Sequence, residues 1–238
     1  IAVAYMSYRK ADVDKALHAI GKMFREPRTT HDNLDRDIRQ IMKWALLVKE
    51  KGMRGLEDVM DRDGVNDPFV KYGLTMVISQ YTPDEVRAMM ETAADAYDVR
   101  DSVPAEILQS MASHAPAFGM IGTLVGMVTM LCTLTDNVSG IGTTLAVSFL
   151  STLYGVLSAR MIYMPAASRL RQELDSLHFR NHLITEGMVL LVSNKAPTYI
   201  QDRLNSFLRP DIHDTLVPMH VQTPAKIVTK PSALSHLK

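Results

Sequence analysis

Apolar positions recur at helical spacing through the first hundred residues of the chain. Val13, Leu17 and Ile20 follow an i, i+4, i+7 pattern. A second stripe comprises Ile38, Ile41, Met42, Ala45 and Leu46. Such spacing places apolar side chains on one face of a helix, and no alternating strand pattern competes with it. The pattern therefore predicts a helical domain over residues 9–113.

Two long segments further along the chain carry no charge. Of the 52 charged side chains, 35 lie in residues 1–106, whereas 107–135 and 137–159 contain none. A hydrocarbon core of about 30 Å needs roughly 20 helical residues, and both segments exceed that length. We therefore predict transmembrane helices over 114–135 and 141–164. The alternative is a pair of buried core helices in a soluble protein.

The charges that flank these segments predict their orientation. Arg160, Arg169 and Arg171 follow the second span, and positively charged flanks stay on the cytoplasmic side. The pair is then a hairpin whose charged neighbours are cytoplasmic at both ends. The apolar residues 1–8 precede Lys10, and we interpret them as the cytoplasmic end of a truncated transmembrane helix.

The remainder of the chain divides into a helical part and a polar tail. Apolar residues at helical spacing run from Leu170 to Val192, and a short helix is expected near Tyr199–Leu208, so that residues 165–208 form cytoplasmic helices. Residues 209–238 contain four prolines and few apolar anchors, which predicts a disordered tail. The predicted fold is an all-α polytopic membrane protein with a helical cytoplasmic domain.

Composition excludes several functions. Twenty-six basic and 26 acidic residues give a formal net charge of zero, which argues against nucleic-acid binding. The single cysteine cannot form an internal disulfide. His178 and His182 have the i, i+4 spacing of metal ligands but lack further ligands, so no metal site is predicted. No nucleotide-binding or nucleophile motif is present, and we expect neither an enzyme nor a cofactor.

Small and hydroxyl residues are concentrated in the two apolar spans. Gly122 and Gly126 have G-x-x-x-G spacing, which favours close helix packing in lipid. Thr123, Ser151 and Thr152 permit a second role, because hydroxyl oxygens can replace part of a cation's hydration shell. Packing alone is the alternative for all of these residues.

Two further features concern coupling to movement and to a partner. Pro116 and Pro165 lie at the cytoplasmic ends of the spans, where each either ends a helix or forms a hinge. Neither span contains an acidic residue, although ion-translocating proteins usually need an ionisable group within the membrane. If the protein conducts an ion, a partner subunit must supply the carboxylate.

The sequences of the two spans resemble a known family. The block PAFGMIGTLVG at Pro116–Gly126, and STLYGVLSARMIYMP at Ser151–Pro165, are similar to the MotA/PomA family of membrane subunits of the flagellar stator. Lys49–Asp58 resembles the family's charged segment that engages the rotor protein FliG. Ala196–Leu208 is similar to an amphipathic helix that follows the last span in this family.

The resemblance implies a function and an assembly. It implies an ion-conducting stator subunit in the bacterial inner membrane that couples sodium or proton flow to torque on FliG. Five such subunits would surround two copies of a MotB/PomB-type subunit, whose transmembrane aspartate binds the ion. It implies ion-pathway roles for Thr123 and Thr152 and conformational coupling for the two prolines, whereas Ser151 stands where the family has a threonine.

The resemblance also implies a rotor-binding surface. Its residues would be Lys49, Lys51, Arg54, Glu57 and Asp58. A solvent-exposed helix face with internal charge pairs is the alternative for this segment. An ExbB/TolQ-type energiser of envelope transport is the alternative for the whole protein.

Overall fold

The computed structural model describes residues 1–22, 30–52, 55–57, 60, 67–133 and 141–208. All regular elements within these ranges are helical. The helices are α1 (Ala2–Ser7), α2 (Lys10–Lys22), α3 (Thr30–Lys51), α4 (Pro68–Ile78), α5 (Pro83–Thr133), α6 (Ile141–Ser158), α7 (Met164–Val192) and α8 (Pro197–Asn205). A π-helical turn, Ala159–Tyr163, joins α6 to α7. The predicted all-α fold is confirmed.

The starts of α4 and α5 are fixed by side-chain caps followed by proline. Asp67 accepts a hydrogen bond from the N–H of Phe69 at 2.9 Å. Thr82 and Glu85 form a reciprocal capping box, in which the Glu85 carboxylate accepts from the Thr82 N–H at 3.0 Å. Hydrogen bonds from the backbone and hydroxyl of Thr82 lower the pKa of Glu85. These caps set the direction in which α5 leaves the helices that precede it.

Helix α3 ends at a glycine. Gly52 has a φ of 70°, a left-handed conformation that glycine adopts without a steric penalty. Its N–H donates to the carbonyl of Val48 at 2.9 Å, which satisfies one of the free carbonyls at the helix end. The turn at Gly52 therefore separates the lysines at the end of α3 from the acidic residues that follow in the sequence.

The two spans belong to helices much longer than a bilayer is thick. Helix α5 has 51 residues, and the helical path Ile141–Val192 has 52. At about 1.5 Å per residue each extends roughly 75 Å, more than twice the hydrocarbon thickness. The predicted boundaries at 113/114 and 164/165 therefore fall inside continuous helices, and the exact division between membrane and cytoplasm stays a prediction.

The apolar parts of these helices are exposed. In the most apolar window of each long helix only 6% and 11% of the residues are buried. A core helix of a soluble protein would be mostly buried, so the soluble alternative is disfavoured. The outward-facing side chains include Phe118, Leu124, Val128, Phe149 and Leu153, each more than half exposed. Such a surface fits contact with lipid or with other membrane helices.

Two hydrophobic clusters join the described parts of the chain that lie outside the apolar hairpin. The larger one joins α3, α4, the start of α5, the end of α7 and α8, with Ile41, Leu74, Met90 and Met188 at its centre. The smaller one joins α1 and α2 to the middle of α5 and the start of α7, through Val13 and neighbouring residues. Both long helices contribute to both clusters, so the domain and the membrane hairpin share their main elements.

The apolar stripes expected from the sequence mostly face these clusters. Ile38, Ile41, Met42 and Ala45 are buried, as the helical spacing predicts. Leu177 is the exception in the α7 stripe, because half of it is exposed. The turn near residues 136–140 and the predicted tail 209–238 lie outside the described residues.

Candidate functional site

Helices α5 and α6 touch along a seam of glycines. A Cβ atom placed on Gly119 would lie 2.9 Å from the Cα of Thr152, and one on Gly155 would lie 2.8 Å from the carbonyl oxygen of Ala115. Both distances are shorter than van der Waals contact, and the opposing atoms belong to the backbone. Only glycine permits this approach, because backbone atoms cannot move aside as a flexible side chain can.

Further along the same seam, glycines face hydroxyl side chains. A Cβ on Gly122 would lie 2.0 Å from the Ser151 Oγ, and one on Gly126 would lie 2.0 Å from the Ser148 Oγ. Ser148 is buried and donates to the carbonyl of Thr144 at 2.8 Å. The G-x-x-x-G glycines predicted from the sequence therefore do pack against α6, opposite its small residues.

The seam brings Thr123 and Thr152 together. Their Oγ1 atoms are 3.2 Å apart, and the Thr123 hydroxyl also lies 2.7 Å from the carbonyl oxygen of Met120. Because Thr123 has only one proton, this geometry favours donation from Thr123 to Met120 and from Thr152 to Thr123. The lone pairs of the Thr152 oxygen then remain free to accept or to coordinate.

The three residues proposed from the sequence for the ion pathway therefore lie close together at the α5–α6 seam. Ser151 neighbours Thr152 and covers Gly122 on the same face of α6. Hydroxyl oxygens suit a partly dehydrated cation, but they carry no charge to neutralise it. The uncharged runs of the sequence provide no carboxylate here. The seam can therefore offer coordinating oxygens, while charge compensation must come from another group.

Neither Pro116 nor Pro165 ends its helix. Pro116 lies inside α5, and Pro165 is the second residue of α7, directly after the π-helical turn. Across that turn the N–H of Met164 donates to the carbonyl of Ala159, five residues back. The wider turn has a physical cause, since proline lacks a donor and its ring clashes with the carbonyl four residues before it. Of the two alternatives, helix termination is excluded at both prolines.

Partly buried ion pairs connect the long helices to the rest of the domain. Arg180 on α7 donates two hydrogen bonds to Asp37 on α3 and a third, of 2.6 Å, to Asp67 at the start of α4. The bond to Asp37, aided by Asp67 and opposed by burial, raises the pKa of Arg180. This bidentate arrangement fixes α7 relative to two other helices.

Glu186 forms a second connection one and a half turns further along α7. Its carboxylate accepts from Arg87 on α5 at 2.8 Å and from Arg203 on α8 at 3.1 Å. Burial alone would raise the pKa of Glu186, but the hydrogen bonds and charges of the two arginines lower it overall. Movement of α7 would therefore be transmitted to α5 and α8.

The residues expected to contact a rotor are exposed where the structure describes them. Lys49 and Lys51 end α3, and Glu57 follows after the Gly52 turn; all three are exposed. Arg54 and Asp58 lie outside the described residues. In the described ranges no ion pair involves these three side chains. The internal charge pairs of the alternative interpretation involve Arg54 and so lie outside the described residues.

The histidine pair gives no sign of a metal site. The ring of His182 stacks edge-on against Phe207, with ring centroids 5.8 Å apart. Within the described ranges no group of three or more histidine, cysteine or acidic side chains is close enough to hold a metal ion.

Comparison with known proteins assigns the chain to a family. The model of the MotA/TolQ/ExbB proton channel family matches residues 61–181, just over half of the chain. The chain belongs to this family. Motility protein A of Treponema pallidum is 30% identical over 183 residues, which cover 75% of this chain and 69% of that protein.

Other relatives carry related names. Motility protein A of Borreliella burgdorferi is 30% identical over 173 residues, 73% of this chain and 65% of that protein. The chemotaxis protein PomA of Vibrio alginolyticus is 28% identical over 208 residues, 87% of this chain and 79% of PomA. This chain thus spans about two-thirds to four-fifths of the length of these relatives.

Solved structures support the fold. The structure of MotAB from C. jejuni has a TM-score of 0.77 with 22% identity, covering 88% of this chain and 80% of that chain. The flagellar MotAB stator complex from Bacillus subtilis has a TM-score of 0.78 with 21% identity, covering 91% and 83%. At these identities the comparison establishes a shared helical membrane fold.

Sequence reasoning missed three features of the site. The ion pairs of Arg180 and Glu186 join residues up to 143 positions apart, and no local pattern signals them. The π-helical turn was not predicted, although Pro165 after an uncharged span is the signal that would have suggested it. The direct contact between Gly119 and Gly155 was also missed, because only the register of two packed helices reveals it.

Proposed function

We propose that this chain is the ion-conducting membrane subunit of a flagellar stator, which couples sodium or proton flow to torque on a rotor. The observation that carries the proposal is the α5–α6 seam, in which Thr123 and Thr152 form a hydroxyl pair inside an otherwise uncharged hairpin. Family membership and the names of the relatives, Motility protein A and PomA, support the same function.

The absence of an acidic residue from both apolar spans of the sequence supports a partner subunit that supplies the carboxylate. We propose a MotB/PomB-type subunit whose single transmembrane aspartate lies beside the hydroxyl pair. The structures with the same fold are MotAB complexes, which supports this pairing. The exposed apolar surface of the hairpin is compatible with packing against that helix and against further copies of this chain, as a pentamer in the inner membrane.

The proposed mechanism divides the work between the two subunits. The partner's aspartate would attract and hold the cation, while Thr123, Ser151 and Thr152 replace part of its water shell. One charge moving through 100 mV releases about 2.3 kcal/mol, so a dehydration barrier of a few kcal/mol would limit the rate. No cofactor and no covalent chemistry enter this scheme, and the protein would not be an enzyme.

Coupling to the cytoplasm would follow the long helices. A change at the seam reaches the π-helical turn before Pro165 within one to three helical turns. From there α7 leads directly to the ion pairs of Arg180 and Glu186, which fix α3, α4, α5 and α8. Lys49 in the last turn of α3 and Glu57 beyond the end of that helix would present charges to FliG.

Complementation tests this function against the energiser alternative. The full-length protein and its partner would be expressed in a swimming bacterium that lacks its own stator, and in a strain that lacks its ExbB/TolQ-type energiser. Restored swimming in the first strain alone is expected. Restored envelope transport without swimming would favour the energiser. A matched control carries Asn in place of the partner's aspartate and should restore neither.

A further inference from the structure

A groove of about 310 Å³ lies next to the end of α3, on the surface that contains Lys49. Its apolar floor is formed by Val48 of α3, Leu191 of α7 and Ile200 of α8. Two lysines flank it: Lys49 at the end of α3, and Lys195 in the turn between α7 and α8. Three helices therefore build one depression that contains a residue already assigned to the rotor surface.

The backbone holds Lys195 in a fixed position. Asn194 adopts a left-handed φ of 47°, and its N–H donates to the carbonyl of Leu191 at 3.1 Å. The N–H of Lys195 donates to the carbonyl of Leu190 at 3.4 Å. These two bonds form a Schellman motif at the end of α7, and Pro197 then starts α8. Lys195 is therefore presented by an ordered turn on one side of the groove.

The described side chains that line the groove give it a positive charge. Both lysines are exposed, and within the described ranges neither forms an ion pair. No carboxylate is among the described residues that line it. Two cations beside an apolar floor complement a partner segment that combines acidic side chains with an apolar one.

We propose that this groove docks an acidic segment of the rotor protein, with Lys195 as a second contact across the groove from Lys49. The proposal rests on the stator function proposed above and extends its rotor surface from α3 to the α7–α8 turn. Contacts from both α3 and the α7–α8 turn would fix the orientation of the bound rotor segment. Exposed charges on α3 alone would attract the segment without orienting it. Because the pairs are solvent-exposed, they would still exchange quickly as the rotor passes.

Site-specific photo-crosslinking tests the occupant of the groove. The full-length protein, in motile cells with its partner subunit, would carry a benzoylphenylalanine in place of Ala196, which also lines the groove. A control would carry it in place of Lys71, an exposed residue of α4 outside the groove. An adduct with the rotor protein from position 196 but not 71 is expected. An adduct within this chain, for example with its acidic residues near Asp61, an adduct with a second copy, or no adduct would overturn the proposal.

Charge reversal separates this inference from the proposed function. Membranes that contain the full complex would be tested for capture of purified rotor protein at low salt. Lys195→Glu is expected to weaken capture about threefold, as expected for one exposed ion pair, whereas Lys195→Arg and Lys71→Glu should not. If Lys49→Glu weakens capture and Lys195→Glu does not, the inference fails and the stator proposal stands. If neither reversal has an effect, both the groove and the assigned rotor surface are wrong.

Discussion

The hydroxyl oxygens of Thr123 and Thr152 lie 3.2 Å apart across the seam between α5 and α6, although 29 positions separate the two residues in the chain. Their contact depends on Gly119, where an added Cβ atom would lie only 2.9 Å from the Cα of Thr152. The same glycines that permit tight helix packing therefore also set the distance between the two oxygens. Helix packing and the proposed ion conduction would thus depend on the same geometry, and variants are needed to separate them.

Gly155→Ala tests the packing of the seam. Its new Cβ would lie 2.8 Å from the backbone oxygen of Ala115, so the helices must separate, at a cost of about 1–3 kcal/mol. We expect a lower unfolding temperature in detergent and less protein in membranes. Gly142→Ala is the matched control on the same helix, because no atom of the described part of the chain lies within 4 Å of the added Cβ. Equal stability of the two variants would refute the close contact.

Pro165→Ala tests the π-helical turn. Alanine restores a backbone donor and removes the ring, so the segment Ala159–Tyr163 should become a regular α-helix. We expect normal amounts of the complex in membranes but lower torque in tethered cells. Pro104→Ala serves as a control, because Pro104 also lies inside a long helix but away from this turn. Loss of the protein from membranes would indicate a folding role, and wild-type torque would remove the coupling role.

Glu186→Gln tests the connection between α5, α7 and α8. The folded-state pKa of Glu186 lies below its ordinary value of 4.5, so its contribution to stability is complete above that value. The contribution is lost as the pH falls through the lowered folded-state pKa. At neutral pH we expect the variant to lose about 1–3 kcal/mol of unfolding free energy.

The difference between Glu186→Gln and the wild-type protein should then shrink as the pH falls below 4.5. Unfolding of the detergent-solubilised protein, followed by circular dichroism across this range, measures it. Glu173→Gln, at an exposed position of α7, is the control and should change little. A stability difference that does not vary with pH would show that the arginine pairs contribute nothing through charge.

Lys49→Glu tests the assigned rotor surface. Reversing an exposed charge should leave insertion into the membrane unchanged but reduce rotation, because the rotor then meets a charge of the wrong sign. A compensating charge reversal on FliG should restore part of the swimming speed. Swimming equal to wild type in both Lys49→Glu and Glu57→Lys, at matched expression and low salt, would return this segment to an ordinary solvent-exposed face.

The fold was largely predictable because its main signals are local. Uncharged runs define the apolar spans, and helical stripes such as Ile38–Ala45 identify the buried faces of the helices outside them. It was not predictable that α5 continues as one helix through Pro104 and Pro116, since proline inside a helix is locally unfavourable. Packing of α5 against both hydrophobic clusters outweighs that local preference.

The site was predictable only in part. Thr123 and Thr152 were identified from residue type and family resemblance, but their separation depends on the register set by Gly119 and Gly155. The pairing of Arg180 with Asp37 requires the three-dimensional arrangement of two helices that are far apart in the chain. Such long-range pairs leave no periodic signal in a single sequence.

The most direct test of the ion pathway is the rotation speed of single motors as a function of external sodium and of pH. Thr152→Val keeps the side-chain volume but removes the hydroxyl, and Thr152→Ser restores the hydroxyl. At equal amounts of assembled complex, we predict that Thr152→Val lowers the speed most at limiting ion concentration and that Thr152→Ser recovers most of it. The same speed for Thr152→Val and wild type at every ion concentration would contradict the account and leave the seam a packing contact.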